Sequence, residues 1–156
     1  MKRTAGRLVA AAVLLTASAC GGTHSPLEDQ LQGSWASPCQ GSPSSIRTVM
    51  TYSGLDYRSV LVTYLNGTCS GSELGRKDDG SGGRLTVGST VTVNLFSTPV
   101  TAYEVVDRGV SYTLHYVDTT AIPNRIYVGE FTVENDGSSP GKRPTTLSTT
   151  FYWIKL

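Results

Sequence analysis

The sequence predicts an all-β protein, an antiparallel up-and-down meander of eight to ten strands closed into a barrel, with a β-sandwich as the alternative. Three observations carry that prediction. From Gly33 onward, apolar and β-branched residues alternate with polar ones over runs of five to nine residues. No stretch of helical period intervenes. The connections Asn66-Gly67, Gly88-Ser89 and Asp107-Arg108-Gly109 are short, and such links join antiparallel neighbours only, because a parallel pair needs a crossover of about a dozen residues. So many strands favour closure over one open sheet, since a barrel leaves no exposed edge. A chain of 156 residues buries one core and hardly two.

In chain order, the first element lies outside the fold. Lys2, Arg3 and Arg7 precede an apolar run, Leu8 to Ala19, broken only by Thr16 and Ser18, which is the layout of a secretory signal peptide over 1–19. As a helix that run spans roughly 18 Å, short of a ~30 Å hydrocarbon core. The segment that follows, Ala17-Ser18-Ala19-Cys20-Gly21-Gly22, resembles the lipobox of bacterial lipoproteins, with Ala17 where that family usually has Leu. The resemblance implies a diacylglyceryl group on the Cys20 thiol, cleavage before Cys20, a further acyl chain such as palmitate on the new amine, and a lipid-anchored place in the bacterial cell envelope. Gly21 in place of the Asp linked to inner-membrane retention implies the outer membrane where there is one, facing the periplasm or the cell surface. Several acyl chains, worth roughly 0.8 kcal/mol per buried methylene, would hold the domain on that membrane.

With Cys20 assigned to lipid, Cys39 and Cys69 remain. An even pair in an oxidising compartment reads as one disulfide, with two buried free thiols as the alternative. Neither CxxC nor clustered histidine points to a metal. Residues 20–32 are expected to be the lipidated N-terminus and a flexible tether ending in a short helical turn at Leu27 to Leu31, with His24 solvated. The barrel domain is then 33–156.

Within it, strands are expected near 33–37, 45–53, 57–65, 68–74, 84–98, 100–107, 110–117, 125–133 and 147–156. Asn66-Gly67 has the composition of a type I′ hairpin and Gly88-Ser89 that of a type II′ turn. The opening Leu31-Gln32-Gly33-Ser34-Trp35 resembles the G-x-W signature of lipocalin and calycin barrels. That resemblance implies that Trp35 closes one barrel end beneath the last strand, with Lys155 in the position where the family usually has arginine. Gly33 to Cys39 is also similar to the G-x-W-x-x-x-C opening of small bacterial lipoproteins, from which no function transfers.

The constellations that could carry chemistry are few. Gly137-Ser138-Ser139-Pro140-Gly141 matches G-x-S-x-G, but a nucleophile elbow needs a strand before it and a helix after it, and this segment reads as a polar loop. Lys77 to Gly83 places carboxylates beside glycines without the spaced ligands of a Ca²⁺ loop and reads as a flexible hairpin loop. It also lacks the pattern of a phosphate loop. His115 shares a strand face with Ser111 and Thr113, opposite Val110, Tyr112, Leu114 and Tyr116, and a general base oriented by Asp118 or Glu130 is weighed against a merely polar face. Eight tyrosines suit a ligand-lined cavity, an interface or plain β packing. Tyr112 and Tyr116, with Trp35, are the candidate ligand-binding or barrel-closing residues.

Charge narrows the partners. The exported chain would carry ten Lys and Arg against twelve Asp and Glu, with no basic stripe to meet nucleic acid. The expected protein is therefore a non-enzymatic envelope lipoprotein without cofactor or metal, partnered with membrane through Cys20 and binding a small apolar or amphiphilic ligand in its barrel. The alternative is an accessory or structural lipoprotein that binds another envelope protein or surface component through its outer face.

Overall fold

The computed structural model describes residues 24–156, so the signal peptide expected over 1–19 and the lipidation expected at Cys20 lie outside the described residues. A short helix α1 (Pro26–Leu31) precedes eight strands: β1 (Gly33–Ala36), β2 (Ser45–Ser53), β3 (Asp56–Tyr64), β4 (Glu73–Leu95), β5 (Thr98–Asp107), β6 (Ser111–Asp118), β7 (Arg125–Gly129) and β8 (Leu147–Lys155). Each strand pairs antiparallel with the next, and β1 pairs with β8, closing the barrel. The antiparallel meander is the one the sequence predicts, although of its three expected short links only Asp107-Arg108-Gly109 is a tight connection. Its seam is narrow, with Trp35 opposite Lys155 and Ala36 opposite Ile154, extended by a bond from the Leu156 amide to the Ser34 carbonyl at 3.0 Å.

The helical turn expected at Leu27 to Leu31 is present, but it is packed into the fold rather than ending a flexible tether. Ser25 caps α1 by accepting from the Leu27 amide at 3.3 Å, Pro26 occupies the first turn, and Glu28 and Asp29 face the positive end of the helix dipole. Leu27 and Leu31, four residues apart, share one face and are fully buried. They cluster with Trp35, Tyr52, Leu85 and Val105. The helix therefore plugs the barrel, because its leucines complete the core at that end. No helix among the described residues is long and apolar enough to cross a membrane.

The largest departure is β4, where one 23-residue strand replaces two predicted runs and the loop between them. Its first part pairs with β3 and its second with β5, so it must bend between partners. Lys77 to Gly83 supplies that bend with an irregularity opposite Ser59, where register breaks between Arg58 and Val60. A Cβ on Gly83 would lie 2.5 Å from Arg108 Cγ and 3.2 Å from the Tyr57 hydroxyl, so glycine there serves close approach within the sheet. Gly88-Ser89 likewise is a β-bulge, since Val87 pairs with Val105 and Thr90 with Tyr103, leaving two residues opposite Glu104. The turn lies further on at Phe96 (φ 48°) and Ser97 (φ 67°), two non-glycine residues in the left-handed conformation that a type I′ hairpin needs.

Asn66-Gly67 is no tight turn either. Neither residue has positive φ, and eight residues separate Tyr64 from Glu73. The Asn66 side chain organises this loop by accepting from the Thr68 amide at 3.2 Å and the Ser70 amide at 3.3 Å. Asp107-Arg108-Gly109 does connect β5 to β6, with Arg108 and Gly109 at φ 50° and 73°. Strand β7 stops at Gly129 rather than 133, and Phe131 to Val133 lie exposed beyond it.

Cys39 and Cys69 are disulfide-bonded, with Cα atoms 5.6 Å apart. The bridge ties the segment after β1 to the β3–β4 loop, beside Ala36, Val49, Val62 and Tyr64.

Candidate functional site

Strand alternation gives each strand two faces, and closure turns one of them inward. On β6 the inward face is Ser111, Thr113, His115 and Val117. Val117 belongs to the Trp35 cluster, and the other three line a cavity of about 190 Å³ that is partly open to solvent. Its apolar wall includes Leu85, Ile126, Val128, Phe131 and Trp153. Tyr52, Leu85 and Ile126 belong both to this wall and to the core cluster that includes Leu27 and Leu31, so the cavity is the space that the helical plug leaves unfilled.

The polar side is built from three strands. Tyr57 on β3 donates its hydroxyl to both carboxylate oxygens of Asp107 on β5, at 2.9 and 3.0 Å, and Ser111 on β6 adds a hydroxyl nearby. Tyr52 lies beside Tyr57, ring centroids 5.7 Å apart and inclined by 45°. Burial, Tyr57 and Asp107 together push the Tyr52 hydroxyl far above the usual phenol range, which keeps it protonated. His115 is only 7% exposed, and its Nδ1 is enclosed without a hydrogen-bond partner. Burial pushes its pKa down from 6.5 to about 4, so the imidazole is neutral at pH 7.

The structure separates the residues that sequence grouped. Trp35 is fully buried at the plugged end, its indole N–H donating to the Leu31 carbonyl at 2.5 Å. Lys155 sits over it, Nζ 4.5 Å from the ring centroid and donating to the Gln32 carbonyl. Desolvation there lowers the Lys155 pKa. Gly33, at φ 91°, admits this contact, since a Cβ would come within 3.2 Å of Lys155 Nζ.

Tyr112 and Tyr116 are not cavity residues. Both point outward, Tyr112 beneath the Arg143 guanidinium at 5.6 Å and Tyr116 stacked on Tyr127 at 6.3 Å. The inward choice went to the polar-looking row because the outward row has its own cover. Beyond Tyr103, β5 no longer pairs with β6, and Val91, Val93, Leu95, Val100 and Ala102 of the β4–β5 hairpin cluster with Leu114, Tyr116, Tyr127 and Tyr152. Phe96 at the hairpin tip meets Tyr127 edge-on at 6.1 Å. A second apolar layer thus lies outside the barrel.

The remaining candidates are also located. Gly137 to Gly141 runs through a loop into a three-residue 3₁₀ turn, Pro140–Lys142, with Ser138 donating to Asp136 at 2.7 Å, and no strand leads into the serine. Asp118 cannot orient His115. Its carboxylate accepts from the Thr120 hydroxyl at 2.7 Å and the Thr120 amide at 2.9 Å, and these bonds hold it below the usual carboxylate range. His24 meets Glu28 at 3.2 Å on the surface. Among the described residues, no group of three or more His, Cys, Asp or Glu gathers to hold a metal. Asp107 and Tyr57 were not legible as site residues, because they are fifty positions apart and Asp107 reads only as the first residue of a turn.

No protein-family model, curated protein or solved structure matches the chain.

Proposed function

We propose that this chain is a membrane-anchored, non-enzymatic envelope lipoprotein whose barrel binds a small apolar or amphiphilic ligand. The observation that carries the binding reading is the cavity beside His115, with an apolar wall on one side and a few convergent polar groups on the other, the usual make-up of a small-molecule site. Size limits the ligand. A cavity of about 150 Å³ is enough for benzene, so about 190 Å³ suits one ring with a short tail and cannot enclose a long acyl chain. The helical plug, the buried Trp35 and the overlying Lys155 support the resemblance to lipocalin-like barrels. An outer-face partner is less supported, because the most aromatic outer face is covered by the chain's own β4–β5 hairpin.

Anchoring rests on the lipobox resemblance at Cys20. A Cys20→Ser chain expressed in a bacterium should keep its signal peptide and take up no labelled fatty acid, and normal labelling would reject the anchor. For the cavity, NMR titration with indole should move resonances of Ile126, Val128 and Trp153 in the native chain, and Val128→Phe should suppress those shifts by filling the space. Shifts unchanged by Val128→Phe, or none in the native chain, would reject an internal site.

A further inference from the structure

We infer that the cavity selects small ammonium compounds, an amine or quaternary nitrogen on a ring-sized apolar body, and rejects the matching carboxylates; this rests on the proposed binding role of the cavity. The charge of the lining decides it. Among the described residues that line the cavity there is one carboxylate, Asp107, and no lysine or arginine. His115, the other ionisable group of ordinary acid range, is neutral at pH 7 because it is desolvated. A ligand carboxylate would therefore enter beside a negative charge without a compensating cation, in partly desolvated surroundings where like charges repel more strongly than in water.

A ligand cation finds the opposite. The Asp107 carboxylate accepts from Tyr57 but retains lone pairs for a charged N–H donor. Tyr52 and Tyr57 place two electron-rich rings at the same side of the cavity, the surroundings that attract an alkylated nitrogen. The apolar body would extend toward Ile126, Val128 and Trp153. Arg108 Nε lies 3.5 Å from Asp107 Oδ2, but its side chain is 53% exposed on the β5–β6 turn and does not line the cavity. So solvated a partner neutralises the carboxylate only in part, and its removal would strengthen the negative field of Asp107 toward the cavity.

Three ligands of matched shape separate this inference from the reading beneath it. Calorimetric titration of the full chain at pH 7 with 2-phenylethanol, 2-phenylethylamine and 3-phenylpropionate should give measurable binding of the alcohol, about tenfold tighter binding of the amine and about tenfold weaker binding of the acid. Asp107→Asn should bind the alcohol as before and the amine no better than the alcohol. Should that variant fail to fold, Arg108→Ala is the second arm, and it should widen the preference for amine over alcohol. Equal affinities of the three ligands, an amine preference that survives Asp107→Asn, or a preference unmoved by Arg108→Ala would each overturn the ammonium inference while leaving the cavity as a binding site. Binding of none of the three would overturn both.

Discussion

At the residue scale, Trp35 and His115 occupy opposite roles in one interior. Trp35 has a partner for its only polar atom, apolar neighbours around the ring and a lysine above it. Truncation to alanine therefore removes a satisfied, fully enclosed side chain, and Trp35→Ala should cost about 3 to 5 kcal/mol in denaturant unfolding. In a Trp153→Phe background, Trp35 emission should be blue-shifted and protected from quencher. A solvent-like maximum would contradict its burial. His115 is enclosed with an unpaired Nδ1, and the sign of its pH effect follows from its depressed pKa. Between pH 6.5 and about 4 the unfolded chain holds a proton on His115 that the folded chain lacks, so stability is intact above this window and falls as pH drops through it. The full loss is about 3 kcal/mol. The carboxyls with depressed values, Glu73 beside Arg76, Asp118 beside Thr120 and Asp136 beside Ser138, act at the acid end of this window and below it. Unfolding curves collected across the window should show the slope in the native chain and lose it in His115→Gln; an unchanged slope in the variant would assign it elsewhere.

At the element scale, the Cys39–Cys69 bridge closes a segment with a sequence separation of 30 across two β-hairpin partners, β2 and β3. Restricting an unfolded loop of that length is worth about 3 to 4 kcal/mol. Ser45, buried between them, accepts from the Cys69 amide at 2.9 Å and donates to the Asn66 carbonyl, so the loop is held by hydrogen bonds as well as by the bridge. Cys39→Ala/Cys69→Ala should therefore fold but with its denaturation midpoint lowered by roughly that energy. A denaturing thiol titration without reductant should find neither cysteine free, and two reactive thiols from this pair would remove the bridge. The other elements illustrate a limit on local reading. Glycine-rich Lys77 to Gly83 has the composition of a loop, yet tertiary pairing with β3 keeps it extended, because a strand that changes partners needs flexible, small residues at the crossing.

At the scale of the whole molecule, the barrel is unevenly closed. The β1–β8 seam has two residue pairs where β2–β3 has nine, and its weakness is offset by the buried leucines of α1 and by Lys155 over Trp35. The β4–β5 hairpin adds an external layer, so the sheet has packed surface on both sides at β6 to β8. Function, in the proposed reading, depends on incomplete filling. The plug and Trp35 occupy one part of the interior, and the space bounded by His115, Asp107 and Trp153 is left for a ligand.

The sequence by itself determined the fold class, the antiparallel order of the strands and the Cys39–Cys69 partnership as the leading choice, because alternation and cysteine number are local or compositional properties; of the three short links it offered, only Asp107-Arg108-Gly109 is one. It also carried the expectation that Trp35 opens the first strand as a buried residue, through the spacing of Gly33 and Trp35. Which face of β6 looks inward was decided only by the tertiary structure. Both faces of Ser111 to Val117 are amphipathic enough to be buried, and the choice depends on whether another segment covers the outer one. That cover comes from Val91 to Ala102, whose fold-back is set by the early end of the β5–β6 pairing and the bulge at Gly88-Ser89. The meeting of Tyr57 with Asp107 was decided in the same way, since Tyr57 on β3 reaches over Gly83 of the intervening β4 to Asp107 on β5, a consequence of two strand registers that no short window of sequence encodes.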